Sequence, residues 1–343
     1  MKMVKKKNVL LVGAFILTMG VLTGCRNSND ASSNVIEITN VSYDPTREFY
    51  EAYNAEFAKY WIEKTGQDVE VIQSHGGSGK QARSVIEGNE ADVVTLALSH
   101  DINVIEEAGM IESGWMEEFD KNSSPYTSTI VFLVRKGNEK NIKDWGDLIK
   151  DGIEVITPNP KTSGGACWNF LAAWGYANDL YGEDEAKTTE FMKELYENVI
   201  VLDAGARGAT TTFVENGQGD VLIAWENEAY LTLKEHPDEY EIITPSISVL
   251  AEPSVAIVDE VAQKNETQEI AKEYLGYLYS DVGQRIAADY YYRPSNVDIL
   301  KEYANVFQLD IKLTTIDDFG GWTQAYKKFF EDGAIFDQIY ITD

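Results

Sequence analysis

Short apolar runs alternate along this chain with longer stretches of helical period. Val35–Val41 (VIEITNV), Val69–Gln73, Asp92–Leu98 (DVVTLAL), Thr129–Arg135, Ile153–Thr157, Val199–Leu202, Val221–Ala224 and Ser254–Val258 read as strands, with helical segments between most of them. In the first interval Phe49, Tyr53, Phe57, Tyr60 and Trp61 recur at helical spacing; Asp44 or Thr46 is placed to cap that helix and Gly66 to end it. Asp92–Leu98 is apolar enough to be buried on both faces, as in the middle of a parallel sheet. Strands alternating with helices predict an α/β chain with largely parallel sheets. Asp120–Tyr126 (DKNSSPY) and the region around Thr244–Pro253 are Ser/Pro-containing breaks where the chain can pass between two lobes.

The N-terminus has a different grammar. Lys2, Lys5, Lys6 and Lys7 precede an uncharged apolar run, Val9–Thr23, too short to span a bilayer core of about 30 Å comfortably. A basic head followed by such a run is the pattern of an export signal. It ends in Leu22-Thr23-Gly24-Cys25, which resembles the lipobox of bacterial lipoproteins, where the cysteine takes the lipid. Residues 26–34 (RNSNDASSN) form a polar tether without hydrophobic period. The expected organisation is a signal over 1–24, a lipidated Cys25 with tether to 34, and one discontinuous lobe from 35–119 plus about 246–310. The second lobe is expected over 120–245, and 311–343 as a C-terminal segment packed on both.

Composition narrows the chemistry. The 343 residues are 44% hydrophobic and 25% charged, a globular balance, and the length suits about two domains. Lys plus Arg number 29 against 57 Asp plus Glu, for a formal charge of -28. Without residues 1–24 it is 25 basic against 57 acidic residues, or -32. Such a chain is a poor partner for nucleic acid, because little would displace the phosphate counterions. Two cysteines (Cys25, Cys167) and three histidines (His75, His100, His236) in no paired spacing argue against a disulfide framework and a zinc site. No metal or other cofactor is expected.

Three glycine-bearing turns remain. They are His75–Lys80 (HGGSGK), Pro158–Ala166 (PNPKTSGGA) and Asp203–Gly208 (DAGARG), and each joins the end of a strand to the start of a helix. Small residues let a ligand approach the backbone, and the free N–H groups of a helix's first turn carry partial positive charge. A helix start is therefore an anion site. One such turn often only closes a connection; three at the carboxyl ends of strands, where open α/β sheets take their ligands, are a binding signature. Trp225 closes another strand and offers an indole N–H that donates and never accepts, which suits a ligand made of acceptor oxygens.

Catalysis has less support. Gly79-Lys80 is no P-loop, since Ser74 stands where glycine is needed and Gln81 where a magnesium-binding hydroxyl would be. His75-Gly76-Gly77 is similar to the oxyanion loop of esterases, yet no Gly-x-Ser-x-Gly elbow supplies a nucleophile. A binding protein, not an enzyme, is the expectation.

Asn40–Arg47 (NVSYDPTR), Gln73–Ala82 (QSHGGSGKQA), Ala91–Leu98, Pro125–Arg135 (PYTSTIVFLVR), Ile156–Pro160 (ITPNP), Asp220–Glu228 (DVLIAWENE) and Gly320–Trp322 closely resemble bacterial sulfate-binding proteins of ABC importers. The resemblance runs from Ile36 to Ile339. It implies a type II periplasmic binding protein fold, two lobes each with a central mostly parallel sheet flanked by helices, and the ligand in the cleft between them. It also implies contacts to sulfate from Ser78, from Ser163 through backbone and hydroxyl, from the N–H groups of Gly164, Gly165 and Ala206, and from the Trp225 indole. His75, Asp44, Arg207 and Lys80 would support them. The implied protein is an extracytoplasmic monomer, lipid-anchored at the outer face of the membrane, that hands sulfate or thiosulfate to a membrane permease with its ATPase. One position departs: Cys167 stands where the family commonly has arginine, which could weaken affinity or broaden the anions accepted.

A site made only of donors separates sulfate, which has no proton at neutral pH, from hydrogen phosphate, whose O–H would lack an acceptor at a cost of about 1–3 kcal/mol. If Asp44, Asp203 or Glu226 reached the cleft, that preference would reverse. A phosphate, molybdate or tungstate receptor is therefore the nearest rival, and a secreted hydrolase using His75 a more distant one.

Overall fold

The structure is a computed structural model that describes residues 35–340. The signal, Cys25 and the tether lie outside the described residues.

Nine main strands build two sheets: β1 (Ile36–Tyr43), β2 (Val69–Gly76), β3 (Val93–Leu96), β4 (Ile130–Arg135), β5 (Val155–Pro158), β6 (Val199–Asp203), β7 (Val221–Trp225), β8 (Tyr240–Ile243) and β9 (Ser254–Ile257). The first sheet has the order β9-β3-β1-β2, the second β6-β5-β7-β4-β8. All eight runs read from the sequence are strands, with ends displaced by a few residues. β1 and β2 both run on further than their apolar residues, to Tyr43 and Gly76, because Ser42 pairs with His75 and Tyr43 with Gly76 in the parallel ladder. Backbone pairing, blind to side-chain polarity, carries them to the carboxyl end of the parallel strands. β3 is buried on both faces, as its composition requires.

The sheets are mixed. β1 is parallel to β2 and β3, while β9 runs antiparallel to β3. In the second sheet β5 is parallel to β6 and β7, but β4 is antiparallel to both β7 and β8. β4 and β8 are the strands by which the chain enters and leaves that sheet. The two crossing segments lie side by side: Ser128 and Ala251 exchange backbone hydrogen bonds of 2.9 Å in each direction. The Ser248 hydroxyl beside them accepts from the Ile130 N–H and donates to the Ile130 carbonyl. The two crossing segments are thus joined to each other by one backbone bridge.

Helix α1 (Arg47–Thr65) buries Phe49, Tyr50, Tyr53, Phe57 and Trp61, and stops at Gly66 in the left-handed region (φ 77°). Thr46, one of the two residues read as its cap, holds the N-cap position, but its side chain makes no capping hydrogen bond. Asp44–Thr46 is a separate 3-10 turn, and the Thr46 hydroxyl turns back to the Tyr43 carbonyl at 2.6 Å. Near the C-terminus, the helix Trp322–Phe329 lays Trp322 edge-on to Trp168 (4.7 Å between centroids) and Phe329 on Phe170 and Trp174. No helix among the described residues is long and apolar enough to cross a membrane.

Candidate functional site

Three helices start where the sequence placed its glycine turns: α2 (Ser78–Ile86) after β2, α3 (Gly164–Tyr181) after β5, and α4 (Ala206–Val214) after β6. The first hydrogen bonds of α2 and α4 are Gln81 N–H to the Gly77 carbonyl and Ala209 N–H to the Gly205 carbonyl. Backbone N–H groups ahead of them, on Ser78, Gly79, Lys80, Ala206, Arg207 and Gly208, have no backbone acceptor among the described residues, and neither do those of Gly164 and Gly165 in α3. One narrow pocket collects the three starts, lined by Ser78, Ser163, Gly165 and Ala206 together with Gly77 and the Tyr43–Pro45 turn.

Close approach explains the glycines. A Cβ on Gly164 would lie 2.9 Å from both Leu98 Cγ and Ser78 Cβ, and one on Gly77 would lie 2.4 Å from the Thr162 carbonyl oxygen. The loops that follow the two sheets are thus in van der Waals contact, with the pocket shut between them.

Each expected ligand residue is at or beside this pocket, with its donors redistributed. The Ser78 hydroxyl is already engaged: it donates to Asp101 and accepts the Ala97 N–H at 3.0 Å, leaving its backbone N–H for a ligand. Ser163 is the reverse. Its backbone N–H donates to the Asn159 carbonyl at 2.9 Å, while its hydroxyl makes no protein hydrogen bond among the described residues. The backbone half of the Ser163 reading therefore falls to local turn closure, and the hydroxyl half stands open. Trp225 is buried behind Gly165, its indole N–H 3.2 Å from the Gly165 carbonyl.

Among the supporting residues, Arg207 donates to both oxygens of Glu48 (2.8 and 2.9 Å), joining α4 to α1 across the two sheets. Buried Glu228 lies 3.6 Å from the same guanidinium. Lys80 is exposed. His75 is held neutral, its pKa lowered to about 4 by burial and by Arg47, and its ring meets Thr46 and Gln73. No carboxylate orients it, so it packs a loop and lacks the partner of a general base.

Of the three carboxylates that would alter anion choice, Glu226 is removed by a buried two-bond pair with Arg293 (2.7 and 2.9 Å). Asp203 packs against Gly208. Asp44 alone lines the pocket; its carboxylate is pushed up by burial, against Arg47, Arg207 and Lys80, and lies on Gly205, 2.3 Å from where a Cβ would be. The Asp44 backbone N–H also has no acceptor among the described residues, a donor that a search for glycines does not find. No group of three or more His, Cys, Asp or Glu able to hold a metal occurs among the described residues.

Cys167 is buried, and its thiol is pushed well above its ordinary pKa by burial and by Asp101. It is a packing residue, not a reactive thiol.

A family model described as bacterial extracellular solute-binding protein matches residues 38–293. The chain belongs to this family. It is 60% identical over 306 residues to the sulfate-binding protein of Escherichia coli (strain K12), covering 89% of this chain and 93% of that one. To the thiosulfate-binding protein of Pseudomonas aeruginosa it is 45% identical over 332 residues, with 96% and 98% covered. Among solved structures it matches the sulfate-binding protein SubI from Mycobacterium tuberculosis H37Rv with a TM-score of 0.76 at 32% identity, over 86% of this chain and 100% of that one. A periplasmic binding protein from Actinobacillus pleuropneumoniae shares the fold (TM-score 0.62, 19% identity).

One electrostatic feature of this family member gives a pH test. Full burial raises the Asp101 pKa to about 6, against the opposing pull of the Ser78 hydroxyl and Arg83. Between the ordinary carboxyl value and pH 6 the folded protein then holds a proton that the unfolded chain has lost. This group's contribution to stability is present at low pH and lost as pH rises to about 6. Against the parent, Asp101→Asn is expected to make stability rise more steeply with pH in that window, by up to about 1.4 kcal/mol per unit. Urea unfolding of ligand-free protein at pH 4.5, 5.5 and 6.5 measures the difference, and equal slopes would remove Asp101 as the buried acid.

Proposed function

We propose that this protein is an extracytoplasmic receptor that closes on sulfate, and on thiosulfate as a second ligand, and delivers it to the permease of an ABC importer. The observation that carries the reading is the convergence of three helix starts and the Asp44 turn, all with unspent N–H groups, on one pocket shut between two sheets. The Ser163 hydroxyl completes the set, and the Trp225 indole N–H joins it by exchanging the Gly165 carbonyl for the ligand. Relatives named for sulfate and thiosulfate, at 60% and 45% identity over nearly the whole chain, supply the chemical class. The lipid on Cys25, a monomeric state and residence on the outer face of the cell membrane belong to the same proposal, on the strength of the Leu22–Cys25 motif and its basic, apolar leader.

The net charge does not oppose this. Beyond about 8 Å at physiological salt the surface carboxylates are screened, whereas oriented N–H dipoles inside a closed pocket act in low dielectric. Ser163→Ala is expected to lower sulfate affinity between roughly tenfold and a hundredfold, since a hydrogen bond to a charged group contributes about 1.5–3 kcal/mol. Calorimetric titration reads it directly, and unchanged affinity would place the ligand elsewhere.

Asp44 gives a second reading its footing. A carboxylate at the pocket can accept the O–H of hydrogen phosphate, so a phosphate receptor is the alternative. Its packing on Gly205, among Arg47, Arg207 and Lys80, favours a structural role and with it sulfate.

A further inference from the structure

On the far side of the Ser78–Gly164 contact lies a crevice of about 220 Å³, lined by Arg83, His100 and Asp101 from the first sheet's helices, by Ser163 just ahead of α3 and by Cys167 within it. Water occupies about 30 Å³ per molecule, so this space exceeds what one or two bridging waters fill. Its charges are incompletely paired. Asp101 is buried, one of its oxygens takes the Ser78 hydroxyl, and the other, Oδ1, meets no protein donor among the described residues. Arg83 is exposed to solvent at the crevice mouth and forms no ion pair among the described residues. Measured from the position of a Cβ on Gly79, Asp101 Oδ1 is 3.5 Å away and Arg83 Nη1 3.8 Å, so carboxylate and guanidinium face one space within about 7 Å of each other without touching. Lys161, the other cation at the rim, is already committed to the Phe330 and Glu331 carbonyls and to Asp337. His100 and Tyr326 stack at 3.7 Å between centroids and give the crevice a flat wall.

A bare cation here would be repelled by Arg83, and a bare anion by Asp101. A molecule with both charges satisfies both groups. In an α-amino acid one carbon separates ammonium from carboxylate, and with charge-assisted hydrogen bonds of about 2.8 Å that meet it at an angle it reaches both groups across a gap of this size. We propose that the crevice is a second ligand site, taking a small zwitterion such as an α-amino acid, with its ammonium on Asp101 Oδ1 and its carboxylate on Arg83. Because the lining comes from both sheets, the zwitterion stabilises the same closed arrangement as the oxyanion. Asp101 also touches Ser78, whose N–H lines the oxyanion pocket. The two ligands therefore strengthen each other reciprocally. This coupling rests on the oxyanion reading; the site itself does not.

The test is calorimetric titration of the protein with glycine and L-serine, with guanidinium chloride and sodium acetate as single-charge controls, each with and without saturating sulfate. The expected result is one-to-one binding of both amino acids, at least tenfold tighter than either control and several-fold tighter with sulfate present. Arg83→Gln is expected to weaken amino-acid binding at least tenfold and leave sulfate affinity unchanged. Cys167→Arg, which fills the crevice and sets its own guanidinium on Asp101, is expected to abolish amino-acid binding and retain sulfate. Absence of amino-acid binding in the parent protein, or binding indifferent to Arg83→Gln, overturns the site. Serine binding in a protein that ignores sulfate keeps the site and removes the oxyanion reading; sulfate binding with no response to serine does the reverse.

Discussion

Gly164→Asp is expected to abolish tight sulfate binding, with a loss of at least a thousandfold. Two effects add. A Cβ at this position would lie 2.9 Å from Ser78 Cβ and Leu98 Cγ and 3.1 Å from Ala97 Cβ, so the loops cannot close as they do. The new carboxylate would also be buried against an anion with no counter-charge, and an uncompensated buried charge costs about 3–5 kcal/mol. Each 1.4 kcal/mol is tenfold in affinity. Gly164→Ala carries the steric part alone and is expected to lose less. Titration of both variants with sulfate, beside thermal unfolding without ligand, separates affinity from folding. Binding by Gly164→Asp within tenfold of the parent would contradict the assignment of α3's start to the site.

Gly77→Ala is expected to lose about a hundredfold for a different reason. Gly77 has φ -58° and ψ 132°, a conformation any residue adopts, so α2 folds normally. The added methyl would stand 2.4 Å from the Thr162 carbonyl oxygen and 3.2 Å from that of Ala204. Both are backbone atoms across the cleft and have no rotamer to yield. The variant keeps all its donors but cannot bring the two sets together. Small-angle scattering with saturating sulfate is expected to find it more extended than the parent under the same conditions, while Ser163→Ala, which removes one donor, still closes. A Gly77→Ala protein as compact and as tight-binding as the parent would mean that closure on the ligand is not the mechanism.

The sequence reads well wherever side chains carry the signal. Strands such as Val93–Leu96 and the aromatic face of α1 follow from apolar period, and the glycine turns mark where backbone must meet backbone. Helix starts read badly. α3 begins at Gly164 and α4 at Ala206, inside the glycine turns and ahead of any apolar repeat. The small residues there have no period, yet theirs are the N–H groups that face the pocket. Partnerships across long separations are invisible as well. Asp101, 23 residues from Ser78, takes up the hydroxyl of a residue expected to contact sulfate, and Glu48, 159 residues from Arg207, engages the guanidinium expected near the ligand. Asp44 is expected only in a supporting role or as a cap, and its backbone N–H carries no sequence signal because the turn contains no glycine.

Titration of the purified protein with sulfate, and separately with hydrogen phosphate at the same pH, tests the central claim most directly. A pocket of N–H and O–H donors closed on a fully deprotonated oxyanion is expected to bind sulfate tightly, one to one, with phosphate at least a hundredfold weaker. Phosphate binding as tight as sulfate or tighter would mean that the Asp44 carboxylate accepts a hydrogen bond from the O–H of hydrogen phosphate, and the receptor would be one for phosphate.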